Sequence, residues 1–300
     1  MIGKKLGSFI ITYERTTHIK ETIAIIKSQT IRSSDILIVD NSITSNVTDS
    51  LHADLGENVT IYKVGQNLGP AGAAKIGLQR MTDVGCDWIY WGDDDDPPED
   101  KLVFERLLSL TKKYPKAGAV GLGGGKFNPY TGRTKRLQNS DLSLSDEVDF
   151  IPGNKSFLIN ATLVKQGILP SPELFFGFEE LDYCLKIKKA GFKLYVDGDY
   201  WLEQRKKMGA GNPDQQFKST HWGKKLPSIR TYYSARNMLT ILLKNRLYFA
   251  LIYNFLKILF KAISGFRFGL EYGKLSWKMN MMALTDFLRG KLGIKNMPLY

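Results

Sequence analysis

Apolar residues in the first third of the chain come in short runs separated by helical spacings. Leu6-Gly7-Ser8-Phe9-Ile10-Ile11-Thr12 reads as a buried strand, and His18 to Ser28 as a helix. Ile36-Leu37-Ile38-Val39 is a second buried strand before Asp40-Asn41, and Val59 to Val64 alternates as a third. Ala71 to Met81 is small and helical in character, and Trp88 to Trp91 is the next strand. Glu99 to Lys113 has helical spacing at Leu102, Leu107, Leu108 and Leu110. This rhythm predicts an α/β fold, a Rossmann-like and mostly parallel sheet flanked by helices. Such sheets bind ligands beyond the carboxyl ends of their strands. Thr12-Tyr13-Glu14-Arg15, Asp40-Asn41, Gln66-Asn67 and Asp93 to Asp96 all follow strand ends, so four polar clusters converge on one rim.

The rest of the chain is less regular. Val120 to Leu169 is loop-rich, and its Gly121-Leu122-Gly123-Gly124-Gly125-Lys126 lacks the spacing of a P-loop, so it reads as a flexible turn. Asp149-Phe150-Ile151-Pro152-Gly153-Asn154 predicts a bend, and Ser156-Phe157-Leu158-Ile159 another strand. Phe175-Phe176-Gly177-Phe178 then runs into Glu179-Glu180-Leu181-Asp182 at the start of a helix that ends near Gly191. Acids favour helix N-termini on dipole grounds alone. Aromatics beside them also raise carboxylate basicity by desolvation, as a general base requires.

Charge divides the chain. Lys224 to Tyr300 holds 14 Lys and Arg against only Glu271 and Asp286, while the preceding 223 residues balance at 28 and 28. The boundary suggests a catalytic domain over 1–223 and a basic, amphipathic helical extension over 224–300. Leu247 to Leu256 is free of charge, but Lys257 and Lys261 interrupt the apolar residues after it, so the run is short for a bilayer span. Basic residues among Phe, Leu, Tyr and Trp suit a helix lying on an anionic membrane surface. Packing on the catalytic domain or a homo-oligomer interface are the alternatives. The segment is too apolar for nucleic acid and carries no binding module. Cys86 and Cys184 lack metal-ligand spacing, and Met1 to Lys5 leads straight into a strand, so a reduced cytoplasmic setting is expected.

Trp91-Gly92-Asp93-Asp94-Asp95-Asp96-Pro97-Pro98 is the most telling stretch. Four carboxylates at the end of a buried strand are costly without a cation. Mg²⁺ and Mn²⁺ take one or two carboxylates plus substrate phosphates, so the stretch predicts a metal site for a phosphorylated ligand. A solvated acidic turn is the plainer reading of the same residues.

These landmarks, in this order, resemble family 2 glycosyltransferases of GT-A fold, in particular the rhamnosyl- and galactofuranosyl-transferase branch. The resemblance covers roughly residues 6 to 240. It rests on Ile10-Ile11-Thr12-Tyr13-Glu14-Arg15, Ile38-Val39-Asp40-Asn41-Ser42, and Asn67 to Leu78. Asp93-Asp94-Asp95, Glu179-Glu180-Leu181-Asp182 with Gly191-Phe192, and Tyr232-Tyr233-Ser234-Ala235-Arg236-Asn237 complete it. The resemblance implies an inverting, metal-dependent transfer from UDP-galactofuranose or dTDP-rhamnose to a glycan or glycolipid acceptor. The products would be O-antigen, capsule or cell-wall polysaccharide, made at the inner face of the cell membrane. It implies Glu180 as general base and Asp93 and Asp95 as ligands of Mn²⁺ or Mg²⁺. Thr12, Arg15, Asp40, Asn41, Asn67, Gly69, Asp93 and Asp94 would bind the nucleotide sugar. Trp91, Glu179 and Asp182 would position donor or acceptor sugar, Trp91 by stacking.

The chain departs from the family in two places. Many relatives carry a metal-binding histidine after the acidic helix, where Tyr200-Trp201-Leu202-Glu203-Gln204 has none, leaving Glu203 or His221 as substitutes. The base is also Glu where many relatives have Asp. Two other functions share parts of this pattern. A nucleotidyltransferase would want a Gly-rich basic loop after the first strand, and Thr12-Tyr13-Glu14-Arg15-Thr16 has no glycine. A non-catalytic sugar-nucleotide scaffold would not need acids at both sites.

Overall fold

A computed structural model describes residues 4–15, 17–44, 55–56, 58–142, 146–153, 156–207, 223 and 225–295. Its strands are β1 (Leu6–Thr12), β2 (Asp35–Asp40), β3 (Val59–Lys63), β4 (Trp88–Asp93), β5 (Ala117–Gly121), β6 (Gly125–Phe127), β7 (Thr134–Arg136), β8 (Glu147–Val148), β9 (Phe157–Asn160) and β10 (Lys193–Val196). Eight of them form one mixed sheet in the order β3-β2-β1-β4-β9-β5-β10-β8, and β6 and β7 form a hairpin. β1 pairs in parallel with β2 and β4, and β2 with β3. β9 inserts antiparallel between β4 and β5.

Register builds the rim. Thr12 lies opposite Asp40, and Ile11 opposite Asp93, so three strands deliver their last polar residues to one edge. The alternation of side chains along a strand splits the core into two layers. On one face Phe9, Ile11, Leu37, Val39, Ile89 and Trp91 pack together, beneath helices Gly69–Asp83 and Glu179–Lys189. On the other, Ile10, Ile36, Ile38, Trp88 and Tyr90 meet Ile19, Ile23 and Ile26 of helix Thr17–Lys27 and Phe104 and Leu107 of helix Val103–Lys113. Helix Gly69–Asp83 approaches closely because it is built of small residues: a Cβ on Gly77 would sit 2.4 Å from the Phe9 ring.

Three local expectations change. β4 runs on to Asp93, so that carboxylate leaves a strand and not a turn. The next helix begins at Val103, four residues later than the spacing suggests. Pro97 and Pro98 disfavour helix before them, and the Asp100 carboxylate accepts the Leu102 N–H at 2.8 Å in a turn. The glycine run is no flexible turn. Gly121 to Gly125 are buried, and Cβ atoms on Gly124 and Gly125 would stand 2.6 and 2.3 Å from the carbonyls of Phe150 and Lys135.

Helices Ile229–Lys244, Tyr248–Ser264 and Leu270–Leu288 pack on one another and on the sheet domain. Phe175 and Phe176 enter their core beside Tyr232, Tyr233 and Leu239, and Phe127, Phe150, Phe178 and Leu181 meet Met238, Leu242 and Ala250. The stretch Tyr248–Phe268, with its closing 3-10 turn, is 21 residues and by length and composition could cross a membrane. It is longer than the uncharged run because the helix continues through Lys257 and Lys261. Ala250, Asn254, Ile258 and Ala262 bury one stripe at four-residue spacing, while Phe249, Ile252, Leu256, Phe260 and Ile263 are 59–78% exposed on another.

Candidate active site

The end of β1 meets the acidic run through short polar contacts. The Thr12 hydroxyl donates to Asp94 Oδ2 at 2.8 Å, and Thr22 Oγ1 donates to the Asp94 carbonyl at 2.8 Å. The Asp94 N–H donates to the Ile11 carbonyl at 3.1 Å. Arg15 reaches Asp94 at 3.3 Å and forms an ion pair with Asp95. Burial raises the Asp94 carboxyl, and Thr12 and Arg15 oppose that rise. Asp94 is thus enclosed by protein groups, and its expected place on the nucleotide is not open to a ligand.

A second set of bonds ties the ends of β2 and β3 together. Asp40 accepts the Ser42 N–H at 3.0 Å, and Asn41 accepts the Leu68 N–H at 3.0 Å while donating to the Gly69 carbonyl at 3.2 Å. Asn67 Oδ1 accepts the Gly69 N–H at 2.9 Å. Gly69 has φ of 68°, and a Cβ there would lie 2.1 Å from the Phe175 carbonyl oxygen, so only glycine fits. Thr12, Asp40 and Asn41 are buried in the wall below this rim. The members of the predicted set that keep solvent access are Arg15, Asn67, Asp93, Asp95 and Glu180.

The acidic helix Glu179–Lys189 supplies the opposite wall. Its approach is unusual: Phe175, Gly177 and Phe178 all have positive φ, at 64°, 86° and 66°. That sequence of turns sets Glu179 and Glu180 in the first helical turn, facing Asp93. Glu180 Oε1 accepts the Gly153 N–H at 3.2 Å, and a Cβ on Gly153 would come within 2.5 Å of that oxygen. Glu179 Oε2 is buried without a hydrogen-bond partner.

Burial, then Glu180 and the neighbouring aspartates, push the Asp93 carboxyl up to about 7. Burial, then Glu180 and Asp93, hold Glu179 well above the usual carboxylate range. Burial also raises Glu180, against the opposing backbone N–H groups of Glu180 and Gly153. Among the described residues Asp93 has no ion-pair partner. Three carboxylates with raised proton affinity therefore act on one another at the rim, the environment of a base or of a cation site.

Among the described residues, no three His, Cys, Asp or Glu side chains form a ready metal cage. The donor chemistry still suits a hard divalent ion, which needs only one or two carboxylates when a ligand's phosphates complete the shell. The orphaned Glu179 oxygen and the raised Asp93 carboxyl are features that either a proton or a cation relieves. Glu203, the candidate substitute ligand, is exposed and pairs with Lys207 at 2.8 Å one turn away. His221 lies outside the described residues.

Two expected sugar contacts are corrected. Trp91 is 3% exposed, packed among Phe9, Phe157 and Tyr183, so neither ring face is free to stack on a sugar. Trp91 and Asp93 point to the same face of β4, but Trp91 lies inside the packed layer while Asp93 is the last residue of the strand and reaches the rim. Asp182 is 1% exposed and occupied by Ser171 Oγ at 2.7 Å and Lys186 at 3.0 Å, so it anchors the helix to the preceding loop. Gly153, in contrast, joins the site unforeseen. Its Pro-Gly bend is legible in the sequence, but not the acid, 27 residues on, that its N–H meets.

Comparisons with known proteins agree with the fold and give its family. A family model described as glycosyl transferase family 2 matches residues 9–166, just over half of the chain. The galactofuranosyltransferase GlfT1 of Mycolicibacterium smegmatis is 25% identical over 198 residues, covering 61% of this chain and 65% of that protein, just short of two thirds of its length. The dTDP-rhamnosyl transferase RfbF of Shigella flexneri is 23% identical over 308 residues, covering 97% of this chain and 98% of that protein. Among solved structures, the mannosyltransferase PcManGT from Pyrobaculum calidifontis, in complex with GDP-Man and Mn²⁺, superposes with a TM-score of 0.55. It is 12% identical, covers 97% of this chain and 89% of that one, and so speaks for the fold.

Proposed function

The chain belongs to glycosyl transferase family 2, and from that premise we propose that it is an inverting glycosyltransferase using a nucleotide sugar. The observation that carries this reading is the group Asp93, Glu179 and Glu180: mutually repelling carboxylates at the rim of the sheet, Glu179 buried and the other two half-buried. Glu180 takes the proton from the acceptor hydroxyl as that oxygen attacks the anomeric carbon. Its raised proton affinity suits that task, since a base works best with a pKa near the working pH. One displacement inverts the anomeric centre, and no enzyme nucleophile is required.

Asp93 and Asp95 hold Mn²⁺ or Mg²⁺, which when bound supplies positive charge to the leaving diphosphate. Arg15 lies on the same side and gives the diphosphate a second cationic neighbour. Asn67 and Gly69 line the ribose or diphosphate side. Thr12, Asp40, Asn41 and Asp94 hold the loops that carry these groups, and Glu179 adjoins the donor or acceptor sugar. The donor class is UDP-galactofuranose or dTDP-rhamnose, the classes that the names of the two relatives bring forward. The nucleotidyltransferase and scaffold readings have no comparable support.

The helix Tyr248–Ser264 lies flat on the inner face of the cell membrane and brings the enzyme to a lipid-linked acceptor. Its buried stripe supports lying over spanning: Asn254 donates to the Thr131 carbonyl at 2.9 Å, a bond that insertion would break. Exposed Phe and Ile beside Lys257, Lys261 and Arg267 suit the interface of anionic lipid.

Thermal stability with UDP- and dTDP-sugars plus Mn²⁺ tests the donor site, because a ligand that binds the native state raises its melting temperature. A rise specific to one nucleotide, abolished by EDTA or by Asp95→Ala, is expected. No rise with any donor would count against the site. For the membrane, Phe249→Glu/Phe260→Glu is expected to abolish co-sedimentation with phosphatidylglycerol vesicles at unchanged melting temperature. Equal binding by the variant would sink that reading.

A further inference from the structure

The loop before the acidic helix is held in place by the C-terminal helices. Phe175 (φ 64°, ψ −67°) has the geometry of a γ-turn of the rare, strained kind, and the Phe176 N–H donates back to the Leu174 carbonyl at 2.8 Å. Phe178 follows in the left-handed region, which costs a bulky side chain energy wherever the surroundings do not enforce it. Something must therefore impose this path.

Asn237 is that something by position. Its side-chain amide donates to the carbonyls of Leu174, Phe176 and Gly177 at 2.9, 2.8 and 2.9 Å. Arg236 adds a bond from Nη2 to the Leu174 carbonyl at 3.0 Å, and its Nε orients Asn237 by donating to Oδ1 at 3.0 Å. Behind them Arg236 donates to Tyr232 Oη at 3.1 Å and to the Gly293 carbonyl at 2.9 Å. Tyr232 donates to Asp286 at 2.8 Å, which Lys295 pairs at 2.6 Å. Arg236 and Asn237 are 1% and 0% exposed, and a buried network of this kind is rigid when every member is satisfied. On its other side the same loop touches the donor wall, where the Ala71 N–H reaches the Phe175 carbonyl at 3.4 Å.

We propose that Asn237 and Arg236 are positioning residues that clamp the Leu174–Phe178 loop and thereby aim Glu180 at the acceptor. The C-terminal helices are then part of the catalytic apparatus and not a detachable anchor. This rests on the reading of Glu180 as base. It explains why an apolar, basic extension buries an arginine and an asparagine in its core.

The test is hydrogen–deuterium exchange on full-length Asn237→Ala beside kinetics with whichever of UDP-galactofuranose and dTDP-rhamnose stabilises the protein. Expected are exchange at least tenfold faster across residues 174–182 with β1 and β4 unchanged, and kcat down at least tenfold with donor KM within threefold. Unchanged exchange in 174–182, or an equal rise along the whole chain, overturns the clamp. If Asn237→Ala does not fold, Asn237→Ser keeps one donor, and wild-type exchange and kcat in that variant overturn the proposal equally. Glu180→Gln separates the two readings. Activity in Glu180→Gln means the base assignment has failed, whereas an inert Glu180→Gln beside a fully active Asn237→Ala means only the clamp has.

Discussion

Two groups of acids face each other across the rim, and they are treated oppositely. Asp94 and Asp95 are met by protein cations and donors: Thr12 and Thr22 fasten Asp94, and Arg15 pairs with both. Asp93, Glu179 and Glu180 gather with Asp93 in no ion pair among the described residues, Arg15 acting on it only at longer range, and with one Glu179 oxygen lacking a hydrogen bond. The contrast teaches that a run of aspartates is not one functional unit. A satisfied buried acid such as Asp94 holds the fold, the exposed Asp95 beside Arg15 stays within reach of a ligand, and an unsatisfied buried acid stores a repulsion that a bound cation or a transferred proton relieves.

The largest test of that contrast is Glu180→Gln. Removing a general base costs about 10²- to 10⁴-fold in rate. The variant is expected to lose transfer on that scale while donor-induced stabilisation persists, and a variant within threefold of wild type would put Glu180 among the structural acids.

Next in size is the pH dependence of stability. Asp93 holds its proton up to about 7 in the folded protein, far above its unfolded value. Between those values the native state binds more protons, so stability of the metal-free protein falls as pH rises from about 4 to 7. Glu179 and Glu180 act in the same direction. Asp93→Asn is expected to raise stability at pH 8 by a few kcal/mol, on the order of 1.4 kcal/mol per pKa unit, and to flatten the profile. Urea denaturation at pH 5 and pH 8 measures both, and a wild-type profile in the variant would show that Asp93 is already compensated.

The smallest effect lies on the satisfied side. Thr12→Val removes the buried donor to Asp94 and is expected to destabilise the fold by about 1–3 kcal/mol, the cost of an unmade bond to a charged group. Transfer per folded molecule is expected to stay within threefold. A large loss of kcat with unchanged stability would place Thr12 on the ligand after all.

Legibility in the sequence tracks the range of the interaction. Strand ends near Thr12 and Asp40 are readable because buried runs and a following polar cluster are local signals, whereas the extension of β4 to Asp93 comes from its pairing with β1. Trp91 misleads because an aromatic beside an acidic run fits a sugar platform as well as a core, and only the sheet's other layer, through Phe157 and Tyr183, decides. Asp182 misleads in the same way. Its partner Ser171 lies across a loop, although Lys186 at four-residue spacing is a visible hint. The glycine run looks loose because the carbonyls that crowd it come from Phe150 and Lys135.

The sequence by itself determined the α/β rhythm, the edge of the sheet on which polar groups collect, the acidic helix, and the basic character of the last quarter. These depend on periodicity, capping and charge, which neighbouring residues carry among themselves. Only the tertiary structure decided which acids are paired and which are left with raised proton affinity, and that the Tyr232-to-Asn237 stretch grips the loop before Glu179. Those outcomes depend on desolvation and on hydrogen bonds between residues some 60 to 80 positions apart, and such costs exist only once the chain has closed around them.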